Sequence, residues 1–121
     1  KNYNIQINRI SQKFKKYPFS KYIIIYAAGL HLEMIYHVTN FFKIHKRKKF
    51  IILDNDKLKI GKSWRGIRIY SPEIINSITN IDYYKFVISS YPYQNEIYNF
   101  LRKLKIKKNN IFKIYERINR Y

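Results

Sequence analysis

Three short segments of this chain carry residue types suited to holding a phosphate-bearing ligand: Ala28-Gly29-Leu30-His31, Asp54-Asn55-Asp56 and Ser89-Ser90-Tyr91. A glycine between a strand and a helix lets the backbone approach a pyrophosphate, and the helix start offers N–H groups and a positive dipole end. Gly29 stands at such a junction. Measured against G-x-G-x-x-G, it is the middle glycine, with Ala27 and Leu32 in the outer positions. A standard NAD site is therefore not expected, and a plain strand-to-helix turn is the competing reading of Gly29. Asp54 lies 25 residues beyond Gly29, near where a dinucleotide fold places the acid that binds a ribose hydroxyl. Asp and Asn also favour tight turns through their own backbone hydrogen bonds, so Asp54 and Asn55 admit that reading too, and Asp56 reads as a cap.

His31 falls in the first turn of the same helix. A neutral imidazole there can donate to a ligand or serve as a general base, which makes His31 the weak catalytic candidate. No other catalytic group is assigned. The hydroxyls of Ser89, Ser90 and Tyr91 suit phosphate or sugar, while Ser90 equally suits helix capping. His37 and His45 have no partner at metal-ligand spacing, and no metal site is expected. Cysteine is absent, which excludes disulfides, thiolate zinc sites and a cysteine nucleophile. No H-E-x-x-H, phosphate-loop or Ser-His-Asp pattern is present.

The elements that must position these residues alternate as strand and helix. Ile7, Ile10 and Phe14 at i, i+3, i+7 predict an amphipathic helix over 3–16. Tyr22-Ile23-Ile24-Ile25-Tyr26 is an apolar run of the kind found in parallel strands buried on both faces. A helix follows, with Leu30, Met34, Ile35, Val38, Phe41 and Phe42 on its apolar side. Phe50 to Leu53 form a second strand and Ile67 to Tyr70 a third, after a polar loop holding Gly61 and Gly66. Ser71-Pro72-Glu73 has the residues of a helix start. A fourth strand at Phe86 to Ile88 leads to a helix opened by Tyr91-Pro92-Tyr93, with Ile97, Phe100, Leu101 and Leu104 inward. Ile111 to Tyr115 make a fifth strand. Five strands with intervening helices predict a three-layer α/β domain with a mostly parallel sheet and right-handed crossovers. Ligands of such sheets lie at the carboxyl ends of the strands, where the three segments fall.

The 121 residues are read as one domain, with 1–19 as a leading helical segment and 20–115 as the core. The first residue is Lys1 and not Met, which reads as a piece of a longer protein. No apolar run reaches the length of a membrane span, and a cytoplasmic location is expected. Lys and Arg number 25 against 7 Asp and Glu, a net charge of +18. That excess attracts polyanions, and the rim holding the three segments is expected to be basic. A composition rich in Lys, Ile, Asn, Tyr and Phe also follows from AT-rich codons, which explains the lysines better than the scarcity of acids. The 13 tyrosines are dispersed among core periods, which argues against a stacking platform for single-stranded nucleic acid.

The order of the segments resembles a known pattern. Ile23-Ile24-Ile25-Tyr26-Ala27-Ala28-Gly29-Leu30-His31 resembles the "I-x-I-Y-G-A-G-x-H" start of a small Rossmann-like domain of bacterial surface-polysaccharide biosynthesis enzymes. That domain is similar to the amino-terminal sugar-nucleotide-binding domain of left-handed β-helix sugar acyltransferases. Leu53 to Asp56, Gly61, Gly66 to Glu73 and Val87 to Ile97 follow in matching order, so the resemblance spans about residues 20–115. It implies a nucleotide or nucleotide-sugar ligand and an accessory role beside a fused or associated transferase. Gly29 and His31 would line the phosphate or sugar end, Asp54 the ribose or base end, and Ser89, Ser90 and Tyr91 the opposite wall. Ala27 and Leu32 depart from the pattern at the phosphate end, which leaves a basic structural or nucleic-acid-associated protein with a vestigial site as the alternative.

Overall fold

The structure, a computed structural model, describes residues 2–115, with side chains described from Asn8 onward. Ile10 and Phe14 form the buried stripe of α1 (Asn2–Lys16), while Ile7 of the expected stripe lies outside the described side chains. The chain then runs through β1 (Tyr22–Tyr26), α2 (Leu30–Val38), α3 (Phe41–Ile44), β2 (Lys49–Leu53), β3 (Ser63–Trp64) and β4 (Ile67–Tyr70). After 3-10 turns over Pro72–Ser77 and Ile81–Tyr83 come β5 (Tyr84–Ile88), α4 (Gln94–Lys103) and β6 (Ile111–Lys113). The result is a mixed α/β fold with one six-stranded sheet in the order β3-β4-β2-β1-β5-β6. Every pairing is parallel except β3 with β4.

Alternate residues of β1 belong to opposite faces, as the pleat requires. Ile23 and Ile25 join Leu32, Ile35, Phe41 and Phe14 under α1, α2 and α3. Ile24 and Tyr26 join Phe86, Ile88, Ile97 and Leu101 under α4. Two apolar cores sandwich the sheet, which accounts for strands that are apolar throughout.

Several sequence expectations change. Phe100, expected inward, is 38% exposed, the last strand ends at Lys113 rather than Tyr115, and Ser71 opens a 3-10 turn. The sheet has six strands and not five, because the loop after β2 folds back as β3. Arg65 and Gly66 at its tip have φ of 47° and 84°, the two-residue hairpin geometry that asks for left-handed residues. A two-residue strand is too short to show alternation in sequence. The long helix expected from Leu30 to Phe42 is two helices. The Thr39 hydroxyl donates to the Ile35 carbonyl at 2.6 Å and accepts from the Phe41 N–H at 3.2 Å, so the side chain replaces the backbone ladder at the break. Leu30, expected inside, is 81% exposed, and Leu32 is fully buried in its place.

Candidate ligand site at the carboxyl edge

Tyr26, the last residue of β1, is in register with Leu53 on one side and Ile88 on the other. The loops that follow these three strands therefore leave the sheet side by side. β1 connects onward to β2, and β5 lies on its other flank, so the strand order reverses between β1 and β5. That reversal is where open α/β sheets leave a crevice.

Ala27 begins the first loop with φ of 95°, a conformation that costs an L residue about 1–2 kcal/mol. The tight turn is thus made without a glycine, under strain. Its neighbours hold it. The Ala27 N–H donates to the Leu53 carbonyl at 2.7 Å, and the Ala27 carbonyl accepts from the Ser89 hydroxyl. Ser89, itself buried, also donates to the Tyr26 carbonyl at 3.0 Å. Ala28, also buried, donates its N–H to Asp54 Oδ2 at 2.7 Å, and Asp54 Oδ1 accepts from the Asp56 N–H at 2.8 Å. Asp54 thereby ties the loop after β2 to the loop after β1. Asp56 caps its own turn by accepting from the Leu58 N–H at 2.9 Å. Asn55 Oδ1 accepts from the Tyr26 hydroxyl at 2.9 Å.

Gly29 stands at the N-cap of α2 in extended backbone, and no side chain caps that helix. Leu30 projects outward beside it. Leu32 does not fill the space between the loops, because it turns into the core beneath α2. The sequence motifs missed Lys59. Its ammonium donates to the Ala28 carbonyl at 2.9 Å and lies 4.0 Å from Asp54 Oδ2. A Cβ added at Gly29 would meet that ammonium at 3.8 Å, which sets a cation directly against the glycine turn. Nothing local marks Lys59 among so many basic residues; only folding selects it.

On the opposite wall, Ser90 is buried and accepts from the Tyr93 N–H at 3.1 Å, a bond of the turn ahead of α4, whose N-cap Tyr93 has no side-chain cap. Tyr91 faces His31, their rings nearly parallel with centroids 6.4 Å apart. Tyr115 completes this group: its hydroxyl shares a 2.6 Å hydrogen bond with His31 Nδ1, and its ring meets Tyr91 edge-on. Buried Gln94 clamps the Tyr115 backbone, accepting from its N–H at 3.0 Å and donating to its carbonyl. Burial, reinforced by Tyr91, pushes Tyr115 up to about 12. Burial lowers His31 below the ordinary imidazole value. Which of the two donates follows the His31 tautomer: with the ring proton on Nε2, the Tyr115 hydroxyl donates to Nδ1.

Charge of both signs meets at the rim, where Lys57, Lys59 and Lys62 of the loop after β2 stand among acids. Asp54 and Asp56 follow β2, Glu73 follows β4, and Glu33 and Glu96 occupy the first turns of α2 and α4. Acids gather here because helix starts and strand-ending turns favour them. Among the described residues no group of three or more His, Cys, Asp or Glu could hold a metal ion, and no helix is long and apolar enough to cross a membrane. Comparison with known protein families, curated proteins and solved structures returns no match.

Proposed function

We propose that this chain is a Rossmann-like module that binds a nucleotide or nucleotide-sugar at its carboxyl edge, as an accessory unit in surface-glycan synthesis. The observation that carries the reading is the amino end of α2: it has no side-chain cap, it stands at the strand-order reversal, and Lys59 flanks it. Anions are favoured at such helix ends, and a fixed cation adds to the attraction. The N–H groups of Gly29, Leu30 and His31 take the phosphates, while Ala28, its own N–H held by Asp54, shapes the turn. Asp54 retains lone pairs beyond its two backbone bonds for a ribose hydroxyl. Tyr91 and His31 form the wall against which a base or sugar ring packs. The glycan context comes from the resemblance of the ordered motifs alone.

A ligand that binds only the folded state at a hundred times its Kd adds about 2.7 kcal/mol, a rise in melting temperature on the order of 10 °C for a domain of this size. UDP-glucose, UDP, NAD and inorganic phosphate are the probes. The expected result is a rise with UDP or UDP-glucose that Lys59→Gln diminishes. No rise with any of the four contradicts the reading.

A second reading has its own support. Ser89, Ser90 and Asp54 already bond to backbone groups, so the loop network would persist in a basic protein whose ligand site is vestigial. In an enzyme using His31 as base, His31→Ala would abolish turnover at unchanged melting temperature; unchanged turnover removes that option.

A further inference from the structure

Cations also line the amino edge of the sheet, opposite the candidate site. Parallel strands share an amino edge, and in the order β2-β1-β5-β6 each begins beside a basic segment. Lys46 to Lys49 lead into β2, Lys21 precedes β1, Lys85 is the second residue of β5, and Lys107 and Lys108 precede β6. Neighbouring strands are about 4.8 Å apart, so these cations span a continuous front about 15 Å wide. Asp82 is the only acid placed among these strand-leading segments in the described residues. Codon drift would scatter lysines over all exposed positions. The helix dipole accounts for basic residues in the last turns of α1 and α4, but it gives no reason for cations at strand starts.

Two further features sit on this edge. Where β2 and β4 diverge ahead of the Ile52–Ile69 pair, they leave a groove of about 380 Å³ lined by Lys48, Phe50, Arg68 and Tyr70 among others. The Arg68 guanidinium lies 5.5 Å from the centre of the Tyr70 ring. Tyr83, at the start of β5, is 68% exposed. The Ser20 hydroxyl donates to the carbonyls of both Tyr83 and Tyr22, at 2.7 and 2.9 Å, which fixes Tyr83 next to the start of β1.

We infer that the amino edge is a binding surface for single-stranded nucleic acid, separate from the carboxyl-edge site. Phosphates track the cations of the strand starts, and bases meet the Tyr83 ring and the groove between β2 and β4. Cations interleaved with exposed rings and a concave slot are the combination that single strands use. A lipid surface gains nothing from the slot.

The test is fluorescence anisotropy of a labelled 20-nucleotide single strand over a series of KCl concentrations. Two variants remove equal charge: Lys46→Gln with Arg47→Gln at the amino edge, and Lys57→Gln with Lys62→Gln in the loop after β2. All four residues are exposed, and unchanged circular dichroism melting confirms folding. Each phosphate that the protein no longer neutralises lowers the log–log salt slope by about 0.7. The amino-edge variant is expected to lose about 1.4 of slope and at least roughly tenfold in low-salt affinity, and the loop variant neither. Tyr83→Ala weakens binding by roughly fivefold to a hundredfold, because a base can no longer stack there. Equal losses in both charge variants, no binding to the oligonucleotide, or binding only to phosphatidylserine vesicles overturns the inference.

Discussion

Ala27 concentrates the strain of the carboxyl edge in one residue. A left-handed φ at a non-glycine position persists only where the surroundings over-determine it, and here Leu53 and Ser89 hold both sides of the peptide. Ala27→Gly is therefore expected to raise unfolding stability by about 0.5–1 kcal/mol, the relieved strain less the extra chain entropy of glycine; chemical denaturation reads it. Ser89→Ala acts in the other direction. It leaves the half-buried Ala27 carbonyl without its donor, at a cost of about 1 kcal/mol. Titration separates the other groups. His31 and His45 are both lowered from the ordinary 6.5, by burial first and for His45 also by Lys48. The folded state binds fewer protons than the unfolded one just below that value, so stability falls as pH drops beneath 6.5. Their replacement by Gln should flatten that limb of the pH–melting curve. Tyr17 and Tyr115, both raised by burial to about 12, have the opposite limb. Their contribution is complete below pH 10 and disappears between 10 and about 12, where phenolate absorbance shows them ionising last.

At the scale of elements, legibility followed the length and regularity of the apolar signal. The run from Tyr22 to Tyr26 reads as a strand buried on both faces, and Ile23 to Tyr26 are buried. The stripes of α1 and α4 were legible in part: Ile10 and Phe14, and Ile97 and Leu101, are buried, whereas Phe100 is exposed. What sequence could not place were features decided by one side chain or by distant packing. Thr39 ends α2 through its hydroxyl, within a stretch whose apolar period continues unbroken. Leu30 and Leu32 are both apolar near the helix start, and only the direction in which α2 crosses the sheet decides which is inside. Leu32→Ala should cost about 3 kcal/mol, and Leu30→Ala close to nothing; chemical denaturation of the two variants checks it. Of the site, the three rim segments were legible because strand ends are, whereas Lys59 and Tyr115 reach it from elsewhere in the chain and carry no local mark. β3 and β4 dock on α2 through Glu33, which accepts from Trp64 Nε1 at 2.5 Å and Arg65 at 3.0 Å; that docking too has no sequence signature.

Taken whole, charge of both signs borders the strand ends while cations dominate the strand starts, so a net charge of +18 does not imply a uniformly basic ligand cleft. If both proposals hold, a nucleotide at the carboxyl edge and a polyanion at the amino edge would use one small domain without competing. High salt should weaken the second far more than the first, because fewer counterions are released at a compact site than along a strand. The central claim is that the turn from β1 into α2 accepts phosphate. Amide chemical-shift mapping of the isotope-labelled protein with UDP or UDP-glucose tests it residue by residue. The account predicts that the amides of Ala28 to Leu32 and of Ser90 and Tyr91 move together, saturating at one Kd. Unmoved amides there, or movement confined to Lys46–Lys49 and Lys107–Lys108, would contradict it.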